Sequence, residues 1–551
     1  MKDQCFLITR PVQGGGNIYS NPRIIVRRTA AIGDALAASV VADRLSEKGY
    51  ECEFQTHANI HCLLRYQPNI STLALPNGYA HVDLDRAYEN NQSRRSLHFS
   101  EMFMTRADEF LRPYGITLGP ALNCRPRVRL PNHILQTSLA KFHEHPRPWI
   151  FCVPRSNTYA ARQVPDNIWE SFALASCGTK FWLGTHPAPK GIVDLQCCHL
   201  DNLIAWISAA DLVVSVDTGP LHIAAALGKQ IVALGQSSSP ELHLSDQVDF
   251  ETIWPLGNLD CLNCQANLCY KDRFIPPCQL FDPAAIADKV NRKIVAQGNG
   301  DVSAAVAIYQ PEVATLNRCL ECLLPQVQEI VVCVDQAGKI PSGALQHGKV
   351  RYVHHRQFNV GYGRKMNVAT RHTHGRFVLQ VNDDVFLKPD AVARMKECMT
   401  SGVGIVSCLL RYPDGTIQHA GKVRSPGEMG WGHINHRQHL PDFKVPTEQE
   451  NTCGACWLVD RKAHFEAGGY DERFFIYAED DSYCLQMRKT GYRIIFTPHA
   501  EGIHLEHQST SKTGPIIDHL NNSNRIFREA WGPYLEHNRN KIPGNFDYLK
   551  P

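Results

Sequence analysis

Residues 378–389, VLQVNDDVFLKP, restrict the fold more than any other stretch of the chain. Four mostly apolar residues run into Asn382, Asp383 and Asp384, and Lys388-Pro389 ends the element. A short apolar run closed by polar residues reads as a buried strand. In open α/β sheets, ligands bind beyond the C-terminal ends of such strands. Carboxylates delivered there suit a hard divalent cation, Mg²⁺ or Mn²⁺, which in turn holds a diphosphate. Taken alone, two adjacent acids read first as an acidic turn, and the rest of the chain reverses that preference.

A chain of 551 residues is too long for one ordinary core, so two or three domains are expected. With 43% hydrophobic and 20% charged residues, the composition is that of a soluble globular protein. No apolar run approaches the roughly 20 residues needed to span a bilayer, and the first residues lack signal-peptide architecture. Twenty cysteines without a secretion signal read as reduced thiols, which sets the expected location in the cytoplasm. A net charge of +3 is too small to argue for nucleic acid.

Residues 23–28 (RIIVRR) read as a strand, 29–34 (TAAIGD) as a tight loop and 35–48 as a helix, with the next strand from 50. This is a strand–loop–helix–strand unit of Rossmann type. Asp34 then stands at the helix N-terminus, either facing a cleft or serving as an N-cap. Residues 146–154 open a second α/β half, whose following loop holds Arg155 and Arg162, each suited to a phosphate. The sharpest signal here is 211–228, DLVVSVDTGPLHIAAALG. A strand leads into Asp217, Thr218, Gly219 and Pro220, and a helix starts with proline in its first turn. Free amides and the helix dipole make that turn an anion site, with His222 within reach.

RTAAIGDALAA and VDTGPLHIAAALG resemble the two signatures of the heptosyltransferase-like family 9 glycosyltransferases, over roughly residues 22–295. The resemblance implies a GT-B-like pair of Rossmann-like lobes, 22–145 and 146–295, with a nucleotide-sugar in the cleft. It makes Asp34 the general base and Arg162, Asp217, Thr218, Gly219 and His222 the donor-binding set. The chain departs from the family pattern at Arg162-Gln163-Val164 and at 184–189 (GTHPAP). Cys261, Cys264, Cys269 and Cys278 follow, spaced as C-x2-C-x4-C-x8-C. Four such thiols read either as a structural Zn or Fe site or as reduced cysteines.

Residues 296–300 (AQGNG) are polar and break the periodicity, which marks the expected domain boundary. Beyond it, strands are expected at 304–308, 329–334 and 454–460, and NVGYGRKMN (359–367) precedes a helix. VVCVDQAG, NVGYGRKMN, VNDDV, GGYDERFF, AEDDSYCLQMRKTGYRI and IHLEHQS, in that order, resemble a family 2 glycosyltransferase. The resemblance implies a GT-A-like nucleotide-sugar-binding domain over 302–535, with Asp335, Asn359 and Asp383 binding the donor. Asp384 and His504 would ligate a divalent cation, Mg²⁺ or Mn²⁺. Asp480 would be the general base and Glu479 its orienting partner. One departure is Ser482, which stands where family members often carry a second acid.

The fold class is therefore α/β, and the expected activity is a bifunctional glycosyltransferase. It would make two inverting transfers of hexosyl, heptosyl or pentosyl units from nucleotide-sugar donors to one acceptor. A glycan, lipid or protein acceptor is favoured over modified DNA bases. The alternative is that one half catalyses while the other serves as a glycan- or nucleotide-binding module.

Overall fold

The strands Leu212–Val216 and Val302–Ala307 are buried along their whole length. Such strands need cover on both faces, which parallel sheets flanked by helices provide. The computed structural model describes residues 23–537 apart from 30, 68–70, 75–79, 92–96, 119–124, 129, 157–159, 196–198, 267–268, 272–275, 300–301, 335–339, 356–359, 425–430, 435, 440–444 and 507–515. The chain divides into two units, Met1–Ile294 and Val295–Pro551.

The first unit contains two parallel sheets. One has four strands in the order Ser71–Ala74, Glu51–Thr56, Arg23–Arg27, Val82–Asp83. The other has six, in the order Phe250–Ile253, Gln230–Leu234, Leu212–Val216, Trp149–Val153, Thr179–Trp182, Val193–Asp194. Every pairing in both sheets is parallel. This is the expected pair of Rossmann-like sheets.

The second unit is built on a ten-stranded mixed sheet. Val350–His354, Glu329–Val334, Val302–Ala307 and Phe377–Val381 run parallel, and Cys456–Asp460 then pairs antiparallel with Phe377–Val381. Alternation along Val302–Ala307 divides the core: Ala304 and Val306 join one buried cluster, and Ala305 and Ala307 the other. The short strand Val385–Leu387 pairs antiparallel with Arg493–His504, placing Val385 opposite His504. That register brings the end of the Asn-Asp-Asp turn to the end of the long strand.

Three boundaries differ from expectation. The helix expected at 35–48 is Ile32–Glu47, with Ala31 as its N-cap. Residues 359–367 do not all precede their helix, because Tyr362–Arg371 is already helical. The expected linker at 296–300 lies largely within the helix Pro283–Asn299. A lone glycine costs a helix only about 1 kcal/mol, so Gly298 does not stop a helix already running from Pro283; the units nonetheless part between Ile294 and Val295.

That helix is fastened to the six-stranded sheet by charge. Lys293 Nζ lies 2.6 Å from Asp249 Oδ1 and 3.4 Å from Glu251 Oε1, with Lys293 and Asp249 each 2% exposed. Removing one partner of a buried pair leaves the other charge uncompensated. Lys293→Met should therefore destabilise the first unit by about 3–5 kcal/mol, read as a lower urea midpoint; a change within error would show that the pair contributes nothing.

Candidate active sites

In the first unit two helix N-termini meet at a cavity of about 850 Å³. Ala31 leads into Ile32–Glu47 and Thr218 into Gly219–Ala226, both from extended backbone and neither with a side-chain cap. The first-turn amides are thus left to a ligand or to water. Glycine permits the approach of the two turns. A Cβ on Gly219 would fall 3.1 Å from Ile32 Cβ, and one on Gly33 would fall 2.5 Å from His222 Cδ2.

Asp34 lines this cavity from the first helical turn. It does not cap the helix, since Ala31 holds that position. Its Oδ1 instead accepts from Arg28 Nη2 at 2.7 Å. Arg28 is almost fully buried and also donates to Glu89 Oε1 at 2.9 Å.

Asp217 is placed differently from a simple ligand-binding acid. Its carboxylate is buried and meets three groups: His243 Nδ1 at 2.8 Å, Arg162 Nη1 at 3.2 Å and His222 Nε2 at 3.3 Å. Burial pushes this carboxyl up, but His243 and Arg162 outweigh it and hold the group well below the usual range. Asp217 therefore orients Arg162 and His222 at the cavity wall. The carboxylate and two imidazoles lie close enough to hold a metal ion, with ligand atoms within 4.8 Å; here the Arg162 guanidinium supplies the positive charge. His243, 26 residues beyond Asp217 in sequence, has no motif around it, and sequence reasoning missed it.

The four cysteines sit beside this wall. Gln265, inside their loop, accepts from Arg162 Nη2 at 3.4 Å, and Gln236 Nε2 donates to Cys278 O at 3.1 Å. Burial and the neighbouring Cys269, Cys264 and Cys261 push Cys278 up to about 11. Among the described residues, no three of these thiols gather within the 4.8 Å span seen at Asp217.

The second unit holds a cavity of about 490 Å³ at the C-terminal ends of its parallel strands. Asn382 N donates to Ala455 O at 2.9 Å, fixing the turn that carries Asp383 and Asp384. Asp384 Oδ1 stands 3.1 Å from His504 Nε2, as the strand register requires. Burial and Asp384 push the Asp383 carboxyl up to about 7. Two adjacent buried carboxyls short of positive charge, with an imidazole converging on them, fit a divalent cation.

Across the cavity the helix Glu479–Lys489 begins at Ala478, a left-handed residue (φ 59°) after the equally left-handed Tyr477 (φ 69°). Such backbone is strained in residues other than glycine and is concentrated at functional turns. The turn presents Glu479, Asp480 and Asp481 together. Asp480 accepts from Lys422 Nζ at 2.9 Å, Gly454 N at 3.3 Å and Asp481 N at 2.9 Å. Burial acts against its charge, but Lys422 holds it below the usual range. Burial and Asp480 push Glu479 up to about 8, and Glu479 Oε2 has no hydrogen-bond partner.

Ser482, the departure from the family pattern, is fully buried and faces away from this chemistry. Its Oγ accepts from Trp531 Nε1 at 2.8 Å, anchoring the helix Ile516–His537. Asp335 and Asn359, expected to bind the donor, lie outside the described residues. Lys422 and Lys365, which both line the cavity, were missed; a lone lysine in a polar stretch carries no pattern.

Comparison with known proteins adds the following. Residues 197–272 match glycosyltransferase family 9 (heptosyltransferase), and residues 303–466 match glycosyl transferase family 2. The O-antigen biosynthesis protein RfbC of Myxococcus xanthus is 30% identical over 163 residues, 27% of this chain and 12% of that one. N-acetylglucosaminyl-diphospho-decaprenol L-rhamnosyltransferase of Mycobacterium tuberculosis is 25% identical over 152 residues, 25% of this chain and 49% of that one. The chain thus spans less than half the length of either relative. A glycosyl transferase family 9 structure from Veillonella parvula DSM 2008 superposes with a TM-score of 0.38 at 12% identity, covering 50% of this chain and 98% of that one.

The acidic turn has a measurable consequence. Glu479 rises from 4.5 to about 8 on folding, so between those values the folded chain binds more protons than the unfolded one. Stability of the second unit should therefore fall as pH rises through that window. Glu479→Gln should flatten the decline in melting temperature between about pH 5 and about pH 8; an unchanged slope would show that Glu479 is ionised throughout.

Proposed function

We propose that this chain, a fusion of a family 9 and a family 2 glycosyltransferase, makes two inverting sugar transfers, one in each half, from nucleotide-sugar donors to a single acceptor. The observation that carries this reading is the presence of two separate cavities, each joining a carboxylate to an arrangement able to hold a diphosphate. A glycan acceptor, free or on a lipid carrier, is supported by the names of the matched relatives. Protein and DNA acceptors rank below it. The reading keeps the cytoplasmic setting expected from the cysteine content; among the described residues no helix is long and apolar enough to cross a membrane.

In the first half, Asp34 takes the proton of the acceptor hydroxyl as its oxygen attacks the anomeric carbon from the face opposite the diphosphate. Amides of the turn at Thr218 and Gly219, the helix dipole, Arg162 and His222 receive the departing charge. In the second half Asp480 takes the proton. Asp384 and His504 would hold a divalent cation, which supplies charge neutralisation for the leaving diphosphate when bound. Asp383 sits beside them on the donor side. The cysteine loop, with or without Zn or Fe, supports Arg162 through Gln265.

One observation favours the reading in which only the second half catalyses: Asp34 Oδ1 is already engaged by Arg28 Nη2 at 2.7 Å. Mass spectrometry of the glycosylated product separates the two. With both halves active, Asp34→Asn should lower the first transfer by about 10²–10⁴-fold. Asp384→Ala, or EDTA, should abolish the second transfer and leave the mono-glycosylated intermediate if the first half acts first. Unchanged product from Asp34→Asn would reduce the first half to a binding module, and full activity of Asp384→Ala would remove the metal role from the Asn-Asp-Asp turn.

A further inference from the structure

Lys422 begins the short strand Lys422–Arg424, which pairs antiparallel with Trp431–His433. Its side chain is 7% exposed, and its ammonium bridges Asp480 Oδ2 at 2.9 Å and Asp481 Oδ1 at 2.7 Å. A lysine loses hydration on burial and is retained there only if opposite charge compensates. Here the two carboxylates provide it, so hairpin and acidic turn are held together by charge.

We propose that Lys422 is a positioning residue of the second half: its ammonium clamps Asp480 and Asp481 and thereby determines which carboxylate of the acidic turn takes the acceptor's proton. The proposal rests on the family 2 reading of this cavity. With Lys422 and Gly454 N on Oδ2 and Asp481 N on Oδ1, Asp480 is fixed from both oxygens, and Oδ1 retains one lone pair. Asp481 is taken up by the same ammonium, and Glu479 Oε2 has no hydrogen-bond partner among the described residues. The proton of the acceptor hydroxyl then passes to Asp480 as the acceptor oxygen bonds to the anomeric carbon. The bond from that carbon to the diphosphate breaks, and its electron pair leaves with the diphosphate.

The other titratable groups facing this cluster come from every neighbouring element. They are His419 and His433 beside Lys422, Cys453 and Cys484, Tyr362 of the helix Tyr362–Arg371, Tyr470 and Tyr477, and Glu506 near His433. Burial and Lys422 press His433 down to about 4, and burial pushes Cys453 up to about 12, so at neutral pH both are uncharged. The charge balance at the turn therefore follows Lys422.

The test uses the full chain carrying Asp34→Asn, so that only the second half acts. Nucleoside diphosphate release is followed from a panel of UDP-, dTDP- and GDP-sugars with water as acceptor. Lys422→Met should lower the rate at neutral pH by about 10²-fold and move the acid limb of the pH profile up by about one unit or more. Lys422→Arg should keep the limb near its original position. Melting temperature against pH gives a readout that needs no substrate. Lys422 holds Asp480 below its unfolded range, a contribution present at higher pH and lost as pH falls. The deficit of Lys422→Met should accordingly be largest at alkaline pH and shrink on acidification. An unmoved acid limb, or a deficit independent of pH, overturns the proposal. If the parent chain releases nothing from the panel, the transferase reading fails and the melting curves alone decide the clamp. If the Met variant does not fold, a limb displaced in Lys422→Arg despite its retained charge overturns it.

Discussion

Charge held out of water at the ends of parallel strands is the constraint on which both halves depend. A carboxylate buried alone shifts toward its neutral form, and a buried cation loses several kcal/mol of hydration. At the strand end after Val216, Asp217 stays ionised because Arg162, His222 and His243 surround it. In the second unit Asp480 stays ionised because Lys422 and two amides reach it. In both places the compensating cation comes from another segment of the chain, so the ion pair also fixes where that segment sits. This use of buried charge specifies geometry more than it adds stability.

That principle separates what sequence conveys from what it hides. Strand centres were legible because burial on both faces demands mostly apolar runs, as in Leu212–Val216 and Phe377–Val381. The turns at Asp217 and Asn382 were legible because glycine, proline and paired acids have few other uses at a strand end. Their electrostatic partners were not. His243 reaches Asp217 across 26 positions and Lys422 reaches Asp480 across 58, with no periodicity linking them. The partners of Asp217 were hidden for the same reason, since nothing in the sequence links it to His243.

The helix Pro283–Asn299 teaches a related lesson about boundaries. The stretch AQGNG reads as a break because local propensity is weak there. Tertiary contact decides otherwise, since Lys293 is buried against Asp249 about one turn earlier and the helix is already nucleated. Continuation costs little once nucleation has been met.

The two cavities solve one electrostatic problem in opposite ways. A departing diphosphate needs positive charge. The first cavity is lined by three carboxylates, Asp34, Glu89 and Asp217, against Arg155, Arg162 and four histidines. It also receives the N-terminal ends of two helices, so its positive potential is built into the fold. The second is lined by six carboxyls, Asp383, Asp384, Glu479, Asp480, Asp481 and Glu506, against Lys365, Lys422 and two histidines, His433 and His504. A dianionic or trianionic ligand entering that cavity meets net repulsion unless a divalent cation accompanies it. Near-zero net charge for the whole chain conceals this opposition, since +3 is the sum over both halves. Under the proposed reading, the first cavity would meet a diphosphate with arginine and helix dipoles, and the second would meet it by way of a divalent cation.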